Sequence, residues 1–173
     1  MLEPATGVGR RYHHLVLKVG EPAPSFAELS TSGDIVSLAG LRGRSVVLYF
    51  FRKAFTPNCT VETRGFRDNY AELRAHRVEV IGISSDSYET QCRFASAHDV
   101  SFPMIPDTDK QLCMKYGVLF PLLPIIRRVT YVLDERHIIA AVFHHEFQAN
   151  RHLDDVLRFV RKRPSSAPPE ASA

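Results

Sequence analysis

One segment gathers residue types that can do chemistry. It runs Thr56-Pro57-Asn58-Cys59-Thr60-Val61-Glu62, just after an apolar run, Val46 to Phe51, and a short stretch from Arg52 to Phe55. Thr56 suits a helix N-cap, Pro57 the first helical position and Cys59 the third, where a backbone amide seeks an acceptor. A thiolate is such an acceptor. The partial positive charge of a helix N-terminus and nearby cationic side chains both favour ionised sulfur. Cys59 is therefore expected to be an unusually acidic nucleophile with room in front of it for an oxygen atom. The competing reading is a buried, inert cysteine, although core cysteines sit more often within a strand or on a helix stripe than beside a cap.

The surrounding pattern supplies the elements that would hold this segment. Val46 to Phe51 is β-branched and aromatic without polar alternation, which predicts a fully buried strand. Asn58 to His76 follows with helical spacing at Val61, Phe66, Tyr70 and Leu73. Val78 to Ser84 predicts a second buried strand. Asp86 or Ser87 then caps a helix running to about His98, with Glu89 placed for a capping box. Asp109 to Tyr116 reads as a short helix closed by Gly117. Arg128 to Leu133 and His137 to Phe143 read as a hairpin turning at Asp134 to Arg136. The last helix, Asn150 to Lys162, sets Leu153, Val156, Leu157 and Val160 on one stripe. This order predicts an α/β domain with a mostly parallel central sheet, an antiparallel edge and helices on both faces, a thioredoxin-like architecture.

A chain of 173 residues, 45% hydrophobic and 24% charged, has enough apolar content for one core, which excludes a disordered chain or a small disulfide scaffold. Residues 1–17 read as an N-terminal extension, 18–162 as the domain and 163–173 as a disordered tail too polar to offset ordering entropy. The net charge of +3 comes from the two ends, where Arg10, Arg11 and Lys18, and Arg161, Lys162 and Arg163, outnumber Glu3 and Glu170. The middle has a slight acidic excess, so composition gives no nucleic-acid surface. Three cysteines, an odd and sparse count, point to a reducing compartment. The apolar runs are too short for a secretory core or a membrane span, so the expected location is the cytoplasm. The pairs His13-His14 and His144-His145 invite a metal reading, but neighbours on a strand point to opposite faces and neither pair chelates alone.

Thr56 to Glu62 resembles the Thr-Pro-Gly-Cys-Thr-x-Glu segment of peroxiredoxins of the bacterioferritin comigratory protein (PrxQ) branch. Val19 to Phe26 is similar to that family's entry segment, Gly65 to Asp68 to its second-helix sequence, Gly82 to Asp86 to the end of its next strand, and Arg128 to Asp134 to its Arg-x-Thr-Phe-Leu-Ile-Asp strand. The likeness covers about residues 18 to 160. It implies a thiol peroxidase in which Cys59 attacks the terminal oxygen of a hydroperoxide and becomes a sulfenic acid. Thr56, the Cys59 backbone amide and Arg128 would stabilise the charge developing as the O–O bond breaks, and Glu62 would position Arg128. No metal or organic cofactor is implied. The electrons would come from thioredoxin, a glutaredoxin or a small thiol, and the protein would be a monomer or a homodimer.

Two departures from the pattern matter. Arg52 stands where the family usually has a proline shielding the cysteine from water, which brings either a further cation near the thiol or a looser pocket. Arg64 stands where many relatives carry a resolving cysteine. Another subgroup places that thiol on the following helix near Ala95, and Cys92 lies one turn away, either as a resolving partner that meets Cys59 after local unfolding or as an ordinary stripe residue. Cys113, between Leu112 and Met114, reads as core. A module that keeps the fold but senses oxidation with poor turnover is the alternative function. A thioredoxin-type reductase is disfavoured, because Thr56 and Glu62 occupy the positions a Cys-x-x-Cys pair would need.

Overall fold

The computed structural model describes residues 15–163. Its elements are β1 (Ala27–Leu29), β2 (Ile35–Ser37), β3 (Ser45–Phe50), α1 (Pro57–Ala75), β4 (Val78–Ser84), α2 (Tyr88–Ala97), β5 (Met104–Pro106), α3 (Gln111–Lys115), β6 (Val129–Leu133), β7 (Ile139–His144) and α4 (Ala149–Lys162). Five strands form one sheet in the order β5-β4-β3-β6-β7, and β1 and β2 pair separately as an antiparallel ribbon. β3 runs parallel to β4, and β4 to β5, while β6 and β7 are antiparallel to their neighbours. The central strands are covered on both faces. All six residues of β3 and all seven of β4 are buried, which is why their sequence shows runs instead of alternation. Val47 and Tyr49 face the layer of α1 and α4, whereas Val46, Leu48 and Phe50 face the core that includes Leu112, Cys113 and Tyr116.

Two features of this frame aim side chains at the segment around Cys59. The antiparallel register pairs Phe50, the last residue of β3, with Val129, the first of β6, so Arg128 arrives beside the loop that leads into α1. Helices α1 and α4 pack against each other on one face of the sheet. Gly65 permits their approach, since a Cβ there would lie 2.8 Å from Leu153 Cδ2. Gly82 in β4 makes room of the same kind for the fully buried Tyr49 ring, 2.6 Å from where a Cβ would stand to its hydroxyl. Among the described residues, no helix is long and apolar enough to cross a membrane.

The structure revises several sequence expectations. β1, β2 and β5 are three residues each, too short to show a period, and none was anticipated. The expected capping box at Glu89 does not form. Ser87 is the N-cap and accepts from the Thr90 amide, and Asp86 is held elsewhere, by the Ala54 amide at 2.8 Å and the Ser84 hydroxyl at 2.7 Å. α3 is shorter than Asp109 to Tyr116 because Lys110 adopts a left-handed φ of 58°. Its first turn is instead held by Asp107, whose carboxylate accepts from the Leu112 and Cys113 amides at 3.0 and 2.8 Å. β7 begins at Ile139, not His137, because Asp134 accepts from the amides of Arg136 and Ile138 and extends the turn. Val16 and Leu17, read as part of an N-terminal extension, pack partly buried against the core, and the Leu17 amide donates to the Tyr131 hydroxyl at 3.1 Å. The rest of that extension, residues 1–14 with His13 and His14, and the tail from 164 to 173 lie outside the described residues.

Candidate active site

The loop after β3 enters α1 through Phe55 at a left-handed φ of 64° and Thr56 in an extended conformation at the N-cap position. Pro57 opens the helix and the Thr60 amide is bonded to the Thr56 carbonyl at 2.9 Å. The cap itself differs from expectation. The Thr56 hydroxyl donates to the Lys53 carbonyl at 2.8 Å and makes no hydrogen bond to the helix. The loop is pinned on its far side by the Ala54 amide on Asp86 and by the half-exposed Phe55 ring, which meets Phe94 edge-on at 5.2 Å between centroids.

Cys59, Arg128 and Glu62 are brought together. Arg128 Nη2 donates to Cys59 Sγ at 3.0 Å and its Nη1 donates to Glu62 Oε2 at 3.5 Å. All three are buried, Cys59 at 0%, Glu62 at 1% and Arg128 at 4% exposure. Room in front of the sulfur, expected from sequence, is absent in this state. Cys59 belongs to the same apolar cluster as Phe51, Ala54, Phe66 and Phe94, with the loop's buried residues packed alongside the helix start. Burial pushes the Glu62 carboxyl up to about 8 against the opposing pull of Arg128. Burial likewise holds the Tyr49 phenol well above its usual range, with charge at Glu62 and Cys59 adding to the effect, and its hydroxyl pairs with Thr63 Oγ1 at 3.1 Å.

Arg52 is engaged by partners away from α1. Its Nε donates to the Ile126 carbonyl at 3.1 Å, its Nη2 is ion-paired with Glu146, and its guanidinium lies 5.7 Å from the centre of the Phe120 ring. It ties the active-site loop to the segment before β6 and to the segment after β7. Cys92 lies half-buried on α2, where its contact with the Tyr88 hydroxyl raises that phenol's pKa. Cys113 is buried, its thiol held far above the ordinary range by burial and by Asp107, which fits a core residue. All three cysteines are free thiols.

Sequence reasoning missed His152. It is 0% exposed on α4, with Nδ1 2.9 Å from Thr130 Oγ1 and 3.9 Å from Glu62 Oε1. Burial lowers its pKa to about 4, so the ring is neutral at ordinary pH. The available signal was its spacing, four residues before Val156 on the buried stripe of α4. His144 and His145 pair with Glu146 and Asp155 at 2.8 and 2.6 Å. Among the described residues, no group of three or more His, Cys, Asp or Glu is placed to hold a metal ion.

Residues 19–142 match the model of the AhpC/TSA family. The chain belongs to that family. It is 36% identical over 152 residues to peroxiredoxin Bcp of Escherichia coli (strain K12), spanning 84% of this chain and 97% of that protein. It is also 34% identical over 145 residues to the chloroplastic peroxiredoxin Q of Sedum lineare, spanning 82% of this chain and 77% of that one. Among solved structures, peroxidoxin BcpB from Mycobacterium tuberculosis superposes with a TM-score of 0.79 at 30% identity, covering 86% of this chain and 99% of that chain. The fold is therefore the thioredoxin fold of peroxiredoxins, and this peroxiredoxin is a thiol-dependent peroxidase that takes a peroxide substrate and a thiol reductant. A sensing module with poor turnover is not the reading its relatives favour.

Proposed function

We propose that this peroxiredoxin reduces hydroperoxides through Cys59 as the peroxidatic nucleophile. The observation that carries the assignment is the Arg128 guanidinium 3.0 Å from the sulfur in a buried setting. There a charge-assisted donor is worth far more than in water. The thiolate attacks the terminal peroxide oxygen, the O–O bond breaks, and Cys59 becomes a sulfenic acid while water or an alcohol leaves. Arg128 serves first the sulfur and then the developing oxyanion, Glu62 positions Arg128, and Thr56 holds the loop through Lys53 and offers its oxygen at the helix start. Because Cys59 exposes no surface, peroxide reaches it when the first turn of α1 or the loop before it moves.

Cys92 is proposed as the resolving thiol, supported by its partial exposure and the absence of a cysteine at Arg64. The oxidised enzyme is then recycled by thioredoxin, a glutaredoxin or a small thiol in the cytoplasm, acting on a monomer or homodimer. An NADPH-coupled peroxidase assay with thioredoxin and its reductase tests this with Cys59→Ser, Cys92→Ser and Cys113→Ser. Loss of turnover with the first two and retention with the third is expected. Full turnover in Cys59→Ser refutes the nucleophile, and full turnover in Cys92→Ser makes the enzyme a one-cysteine peroxidase.

A further inference from the structure

Arg128 faces two acidic groups at once, the Cys59 thiol at 3.0 Å and the Glu62 carboxyl at 3.5 Å, and all three are out of water. One buried cation balances one anion. A second anion beside it would be an uncompensated buried charge, which the fold disfavours strongly. While the sulfur is a thiolate, Glu62 is therefore the group that must be neutral. Once the sulfur is oxidised to a neutral sulfenic acid, the guanidinium needs another counter-ion, and Glu62 is the carboxyl paired with it.

We infer that Glu62 is the proton store of the peroxidatic centre, protonated while Cys59 is a thiolate and ionised once Cys59 is oxidised. This rests on the assignment of Cys59 as the peroxidatic nucleophile. The reaction then balances within the protein. Thiolate, hydroperoxide and protonated Glu62 give sulfenic acid, alcohol or water, and ionised Glu62. The sulfur loses two electrons to the O–O bond, the terminal oxygen brings its hydrogen to the sulfur, and the leaving oxygen gains the proton that Glu62 gives up.

The surroundings of Glu62 fit a carboxyl that changes state. Its Oε1 is buried without a hydrogen-bond partner and stands 3.9 Å from His152 Nδ1. The His152 Nε2 lies 2.9 Å from the His145 carbonyl and 3.2 Å from the His145 amide, so either tautomer of the ring finds a partner there. The two imidazoles meet edge-on at 5.0 Å, and His145 Nε2 pairs with Asp155 Oδ2 at 2.6 Å, where both side chains are about a quarter exposed. That series sets the buried carboxyl at the inner end of a line of polar side chains that ends in partly exposed groups. The ionisable groups around Glu62 are Cys59 on its own helix, Arg128 at the entry to β6, His152 on α4 and Tyr49 on β3, with His145 beyond His152. The rise of the Glu62 carboxyl to about 8 agrees with a proton held at neutral pH.

The test counts protons. In a Cys92→Ser background, which stops the cycle at the sulfenic acid, one equivalent of hydrogen peroxide is added at pH 7 in weak buffer with a pH indicator. Sulfenic acid at Cys59 is quantified by dimedone trapping and mass spectrometry. With Glu62 present, proton uptake per sulfur oxidised is expected near zero; with Glu62→Gln added it rises to about one, as the balanced reaction requires. Equal uptake in the two proteins overturns the inference. Failure of Cys59 to oxidise at all overturns the nucleophile assignment beneath it and is read separately by the trapping. Should Glu62→Gln not fold, the oxidised-minus-reduced infrared difference spectrum of Cys92→Ser alone decides. Loss of a protonated-carboxyl band with gain of carboxylate bands supports the store, and an unchanged carboxyl region overturns it.

Discussion

Replacing Glu62 by glutamine removes a titration while keeping the side chain's size, so the pH dependence of stability isolates that carboxyl. Its pKa rises from 4.5 to about 8 on folding. At about 1.4 kcal/mol per unit, that is about 5 kcal/mol of preference for the neutral form. The folded state holds the proton more tightly than the unfolded state. The contribution to stability is therefore fully present below about pH 4.5 and lost as pH climbs through about 8. Between pH 5 and pH 9, wild type should lose about 4 kcal/mol relative to Glu62→Gln, the curves approaching at acid pH and separating at alkaline pH. Urea unfolding of both proteins across that range, monitored by circular dichroism, measures the difference. Titrating groups remote from Glu62 cancel in the comparison. Parallel stability curves would refute the reasoning, because they would mean that Glu62 is ionised as readily in the fold as outside it.

Arg128→Lys keeps the charge but loses the planar fork that reaches sulfur and carboxyl together. It should lower peroxidase kcat/KM by about 10²-fold or more, and a rate within about threefold of wild type would argue against Arg128 as the oxyanion donor. His152 is held neutral, with its pKa lowered to about 4, so its contribution is present above about pH 6.5 and lost as pH falls through about 4. Denaturant melts should show wild type losing about 3 kcal/mol relative to His152→Asn from pH 7 to pH 4, and a constant difference would count against the assignment. Gly82→Ala drives a methyl against the buried Tyr49 ring and should cost about 1–3 kcal/mol in the same melts, whereas an unchanged midpoint would mean the ring moves freely. Native-state alkylation at pH 8 should label Cys92 and spare Cys113, and rapid labelling of Cys113 would contradict its burial.

The parts of the site that were legible in sequence share a physical cause. β3 and β4 are buried on both faces and leave unbroken apolar runs, and the Thr56-Pro57 start of α1 follows from the orphan amides of any helix N-terminus. Cys59 could be placed from those two signals together. Arg128 and Glu62 required the family pattern, because nothing in local spacing says that residues 66 positions apart will meet. The hidden parts depend on tertiary partners. His152 reads as a polar interruption in the stripe of α4 until Thr130 and Glu62 are seen to face it. The Thr56 hydroxyl was assigned to the helix on propensity and went to Lys53 instead, since a hydroxyl has several local acceptors to choose among. The partners of Arg52, Ile126 and Glu146, could not be read from its place in the loop because they are far along the chain.

Arg127 and Arg128 are adjacent in the chain and have unlike fates. The first lies with its guanidinium 5.1 Å from the centre of the Phe120 ring, and the second donates to Cys59 Sγ. What separates them is the pairing of Val129 with Phe50, and displacing β6 by a single residue would exchange their faces. Such a slip would leave Cys59 without its cation while changing no residue of the sequence. Whether a guanidinium reaches Cys59 is thus decided by strand alignment in the central sheet as much as by the helix that carries the cysteine.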